Sequence, residues 1–151
     1  MKLVFLERGK RREFEKFLEK HFGIPELEFV FVESEMGKIR AFSGNLSKNE
    51  ILELSRHLNI EGFGIYFAKR DGNEIRLRLD AVHLLSEKIS KGIIDISVEE
   101  REKWMRGENL DCEKSLKGIF IIKCGNDFLS SAKAVNGKLF NFVPKERRTG
   151  F

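Results

Sequence analysis

The sequence predicts an α+β fold in two parts, and three observations carry that prediction. Residues 1–91 alternate segments of helical and strand periodicity, most of them bounded by a turn or a capping signal. Residues 118–143 hold three strand-like runs split by Gly125-Asn126-Asp127 and Asn136-Gly137, the pattern of a β-meander. Charge separates the two parts as well. The chain carries 28 Lys and Arg against 24 Asp and Glu, yet residues 132–151 hold five basic residues and one acid. The net +4 therefore resides on the terminal β-element.

In chain order, Lys2–Glu7 alternates weakly and can start a sheet. Arg8-Gly9-Lys10-Arg11-Arg12 is a basic cluster, expected to be solvated, that opens a helix. Phe14, Phe17, Leu18, His21 and Phe22 form its apolar stripe, and Gly23 and Pro25 stop it. His21 is expected as a partly buried packing residue. Leu27–Glu33 reads as a strand, Met36-Gly37 as a turn and Lys38–Phe42 as the returning strand. Ser47-Lys48-Asn49-Glu50 is a capping box for a helix with Ile51, Leu54, Ser55 and Leu58 facing inward, His57 at the border and Asn59 as C-cap. Gly62–Lys69 reads as a strand, Asp71-Gly72 as a hairpin turn and Glu74–Leu79 as a strictly alternating return, with Arg76 and Arg78 outward. Asp80 is expected to cap a helix over Ala81–Ile89, stopped by Lys91-Gly92. After a boundary near residues 90–93, Ile93–Ile96 is a short strand. Ser97-Val98-Glu99-Glu100 is a second capping box, and Gly107 takes the position after the helix end. Trp104 reads as a core anchor. Gly118–Cys124, Phe128–Val135 and Leu139–Val143 are the meander strands, closed by Pro144.

At 151 residues the chain can bury a core without disulfides or metal. It has no run of 18 apolar residues and no signal-peptide pattern, so no membrane partner and a cytoplasmic location are expected. Cys112 and Cys124 lie in no ligand-like spacing and read as reduced thiols. The absence of Gln, the single Thr and 34% charged residues suit a thermophilic source. His21, His57 and His83 are scattered, no nucleophile–base order or metal spacing appears, and Gly62-x-Gly64 falls inside a strand rather than in a cofactor loop. No catalytic residue, cofactor or metal is therefore expected.

Two stretches carry a family resemblance. Trp104-Met105-Arg106-Gly107-Glu108-Asn109-Leu110, Gly118-Ile119-Phe120 and Asn136-Gly137-Lys138-Leu139-Phe140-Asn141-Phe142-Val143-Pro144-Lys145-Glu146-Arg147-Arg148, in that order, resemble a PUA-type RNA-binding domain. The likeness is to the one appended to RsmF and related Nop/Sun-family RNA cytosine methyltransferases. Gly62–Cys112 resembles the central part of the ribosome-biogenesis family of archaea and eukaryotes in which an α/β pre-PUA domain precedes a PUA barrel. The resemblance implies a pre-PUA domain over 1–91 and a small mixed β-barrel over 92–151, and a binding appendage without the catalytic domain of those enzymes. Leu129-Ser130 stands where PUA domains usually carry an aliphatic-Gly pair, so no RNA-backbone contact is carried over to that point.

The expected function is non-catalytic recognition of structured rRNA or tRNA, in ribosome biogenesis or as an accessory to RNA modification. The alternatives are an adaptor docking onto an RNA-modifying enzyme or pre-ribosomal protein, and a small RNA-modifying enzyme. Arg147 and Arg148, followed by Lys133, Lys138 and Lys145, are the candidate phosphate contacts. Asn141 suits a base edge or 2′-hydroxyl, against a bland role in strand-end geometry. Arg106 and Gly107 lie where the family presents a loop to RNA.

Overall fold

The computed structural model describes residues 3–57 and 64–150. The expectations for Leu58, Asn59, Gly62, Phe63 and the His57 side chain fall outside them. The N-terminal half runs β1 (Leu3–Phe5), α1 (Arg8–Phe22), β2 (Val30–Ser34), β3 (Lys38–Phe42), α2 (Lys48–His57), β4 (Ile65–Asp71), β5 (Glu74–Leu77) and α3 (Leu79–Leu84). Its five strands form an antiparallel sheet in sequence order. The C-terminal half runs β6 (Ile93–Asp95), α4 (Val98–Met105), β7 (Leu110–Asp111), β8 (Gly118–Cys124), β9 (Asp127–Val135) and β10 (Lys138–Asn141). Its order is β6-β8-β9-β10-β7, with β6 parallel to β8, and the sheet curls into a half-barrel. The fold is thus α+β, as the periodicities require. No described helix is long and apolar enough to cross a membrane.

One face of the N-terminal sheet packs on α1. Phe14, Leu18 and Phe22 are buried there, and Phe14, Phe31 and Phe67 meet edge-on with centroids 5.0 and 5.1 Å apart. Each such ring contributes on the order of 2–3 kcal/mol of burial. Gly23, at φ 69°, ends α1, and its N–H reaches Glu19 O at 2.9 Å. On the opposite face Val32 and Phe42 pack against Ile51 of α2. The Ser47–Glu50 box closes reciprocally at 3.1 and 3.2 Å.

Three local expectations change. Leu27 and Phe29 precede β2 instead of joining it, because Arg11 takes their carbonyls at 2.6 and 2.7 Å and removes them from any ladder. Arg11 is accordingly a clamp, whereas Arg8, Lys10 and Arg12 are exposed as expected for a solvated cluster. The β4–β5 turn centres on Gly72-Asn73, since Asp71 still pairs with Glu74 and Gly72 takes the positive φ of 61°. Asp80 does not cap α3. The helix starts at Leu79 after an extended Arg78 and ends at Leu84, with a 3-10 turn at Ser86–Lys88. Leu79 is drawn into the C-terminal core, which ends the strand alternation at Leu77.

The two halves share side chains. Strand β8 is apolar on both faces because it separates two cores: Ile121 lies in the N-terminal one, Ile122 and Cys124 in the C-terminal one. Ser131 Oγ donates to Leu77 O at 2.7 Å. The indole N–H of the fully buried Trp104 donates to Ser130 Oγ at 2.8 Å. The Leu129-Ser130 departure therefore has a structural use. A register shift in β8–β9 leaves Leu129 as an extra residue, and both Leu129 and Ser130 are buried beneath α4.

Candidate nucleic-acid interface

The expected contact residues cluster around the end of α4, the strand β10 and the segment after it. Helix α4 starts at a complete Ser97–Glu100 capping box and ends at Met105, with Arg106 as its C-cap and Gly107 at φ 94° reversing the chain. A Cβ at Gly107 would lie 2.4 Å from Arg148 Nε, so the glycine leaves the slot in which that side chain rests. Arg148 Nε also donates to Val143 O at 3.2 Å, and Thr149 N–H to Met105 O at 2.8 Å. The C-terminal segment is thereby folded back onto the end of α4.

Asn141 is the junction of this arrangement. Its Nδ2 donates to Trp104 O at 2.7 Å and Glu108 O at 2.9 Å, its Oδ1 accepts from Val143 N–H at 2.8 Å, and its own N–H donates to Asn109 Oδ1. These bonds stop β10 at Asn141 and occupy the side chain. The Asn136-Gly137 hairpin has both residues at positive φ, 49° and 82°, as a type I′ turn requires.

Four of the six candidate cations of this edge rest on carboxylates. Lys133 Nζ lies 2.6 Å from Glu74 Oε1, Lys138 Nζ 2.6 Å from Asp111 Oδ1, Arg147 2.9 Å from Asp80 Oδ1 and Arg106 2.9 Å from Glu108 Oε2. The hydrogen bond from Lys138, then its charge, holds the Asp111 carboxyl below its usual range. Lys145 is exposed and makes no ion pair among the described residues. Exposed pairs of this kind are worth about 0–1 kcal/mol, so a phosphate can displace the carboxylate at little cost. The structure brings Arg106, Gly107, Asn141 and Arg148 together; it sets Lys133 and Arg147 against the N-terminal half and Lys138 on the β7 side.

No group of described residues has the composition of a metal site. Both cysteines are free, and burial, then Asp111 and Glu113, raise the Cys112 pKa, which keeps the thiol protonated. His21, expected to be partly buried, is exposed, and its ring packs tilted against Phe17 with centroids 4.1 Å apart.

A second positive surface was not assigned to binding from the sequence. Tyr66 on β4 lies under Lys38, Arg40 and Arg78, and Arg76 lies over Phe142. The signal was the alternation Lys38-x-Arg40 and Arg76-x-Arg78, which places every second cation on one sheet face.

No curated protein matches the chain. Residues 91–149 match the family model described as the methyltransferase RsmF PUA domain. The match is to the PUA domain of those enzymes and not to their catalytic domain, and residues 1–90 lie outside it. PUA domains are generally RNA-binding modules. The C-terminal part of this chain, residues 91–149, is a PUA domain of the RsmF-methyltransferase type.

Proposed function

We propose that this chain is a non-catalytic RNA-binding protein that recognises structured rRNA or tRNA, in ribosome biogenesis or as an accessory to RNA modification. The observation that carries the reading is the match of residues 91–149 to a PUA domain. Residues 1–91 then form a pre-PUA support and 92–151 the binding domain, joined by the cores that meet at β8. Lys145 and Arg147 are the outermost phosphate contacts, with Lys133 and Lys138 beside them. Arg106 and Arg148 flank the Gly107 turn, and Asn141 holds that turn in place.

The test is binding of the whole chain to tRNA and rRNA fragments across a salt series, with double-stranded DNA as the control. RNA-selective binding with a steep salt slope is expected. The Lys145→Gln, Arg147→Gln double variant removes two counterion-releasing contacts and should flatten that slope by roughly 1.5. Weak binding that does not distinguish RNA from DNA refutes the reading.

A further inference from the structure

Three strands of the N-terminal sheet carry cations on one face in adjoining rows. Lys38 of β3 pairs in register with Lys69 of β4, and Lys69 with Arg76 of β5. One step along, Arg40 pairs with Tyr66, and the N–H of Arg78 bonds Phe67 O at 2.8 Å, which places Arg78 beside Tyr66. A register shift in β3–β4 leaves Phe67 as an extra residue and brings Tyr66 opposite Arg40. The Tyr66 ring then sits under three cations: Arg78 Cζ at 4.4 Å, Arg40 Cζ at 5.4 Å and Lys38 Nζ at 5.7 Å. Arg76 Cζ lies 4.1 Å over Phe142, a residue of the PUA domain.

The charge of this array is not discharged within the described residues. Lys38, Arg40, Arg76 and Arg78 have no carboxylate partner there, and Lys69 Nζ donates to the Met36 carbonyl. The neighbouring acids are otherwise engaged or peripheral. Glu74 holds Lys133, Asp80 holds Arg147, and Asp71, at the exposed end of the β4–β5 hairpin, acts on Arg76 through its charge without forming an ion pair. Arg76 Nε is buried without a hydrogen bond, and burial lowers the pKa of its guanidinium. Like charges directly opposite on a sheet destabilise it. Cation–π contacts of about 0.5–1 kcal/mol each orient such side chains but leave their charge in place. An array of cations without carboxylate partners, three of them planar guanidinium groups, on one sheet face gains from a polyanion that also carries π-faces.

We infer that this face, centred on Tyr66, is a second RNA-contact surface that takes an unpaired stretch of the RNA held by the PUA domain. Lys38, Arg40 and Arg78 meet phosphates, and the guanidinium planes ordered by Tyr66 and Phe142 receive bases. Tyr66 is a positioning residue: it acts through the cations that it holds. The Arg76–Phe142 contact makes the surface continuous with the PUA domain. The inference rests on the RNA-binding reading and adds a single-strand contact outside the matched domain.

The experiment compares the whole wild-type chain with the Arg40→Gln, Arg78→Gln double variant on tRNA and on a short oligouridylate. A loss of about tenfold or more on oligouridylate, with a salt slope smaller by roughly 1.5, is expected. Tyr66→Phe should keep binding and Tyr66→Leu should lose it, with thermal melting confirming that each variant is folded. Unchanged affinity and slope in the double variant overturns the inference while wild-type tRNA binding leaves the RNA-binding reading standing. A wild-type chain that binds neither RNA overturns both. A photocrosslink from 4-thiouridine RNA to the wild-type chain needs no variant. Crosslinked peptides from β3 to β5 support the surface, and crosslinks confined to residues 91–150 overturn it.

Discussion

The cations at the C-terminal edge and those on the N-terminal sheet face are similar in number and opposite in state. At the edge, Lys133, Lys138, Arg147 and Arg106 each rest on a carboxylate. On the face, Lys38, Arg40, Arg76 and Arg78 rest on aromatic rings. Summed along the chain, the edge looks strongly positive and the first 131 residues neutral. Folding redistributes this, because Glu74 and Asp80 of the N-terminal half are spent on the C-terminal cations. Among the described residues, the N-terminal half thereby retains positive charge without a carboxylate partner on one face, and the edge loses much of its own. Local net charge shows where basic residues are numerous; pairing in three dimensions decides where potential is available to a polyanion.

The largest expected effect separates the scaffold of the edge from its contacts. Asn141→Ala removes three side-chain hydrogen bonds at the α4–β10 junction and should cost about 2–4 kcal/mol. At this chain length that lowers Tm by roughly 6–12 °C. If Asn141 serves structure, RNA affinity of the folded fraction falls little and the salt slope is unchanged. A loss of affinity without a loss of Tm would make it a direct RNA contact instead.

A smaller effect sharpens the contrast in pairing. Asp111→Asn frees Lys138, and RNA binding should tighten by roughly threefold with a steeper salt slope. Asp71→Asn, next to the already unpaired face, should change binding less. Equal responses would mean that the edge pairs do not compete with phosphate.

The smallest concerns pH. Burial, then Lys20 and Lys91, lower the His21 pKa below its ordinary value of 6.5. The unfolded chain therefore takes up this proton first. The contribution of His21 to stability is complete above about 6.5 and is lost as pH falls through the lowered folded value. Tm should dip slightly on acidification from pH 7 to about 5. His21→Asn should reduce that dip, and an identical pH profile would remove His21 from the account.

Much of the architecture was legible in residue order, because it depends on interactions between near neighbours. The Ser47–Glu50 and Ser97–Glu100 boxes, the Gly23 and Gly107 helix ends, the Asn136-Gly137 turn and the β8 run all follow from local chemistry at fixed spacings. So did Trp104 as an anchor and the PUA resemblance of the C-terminal part. Contacts between distant residues had no such signal. Arg11 reached the carbonyls before β2, Leu79 crossed into the other core, and Ser130 met the Trp104 indole from 26 residues away. The same holds for the candidate sites. Sequence determined which residues are cationic and which strands present them on one face. Only the tertiary structure decided which of those charges meet a carboxylate and which meet a ring, because a salt bridge depends on side-chain proximity in space and not on separation along the chain.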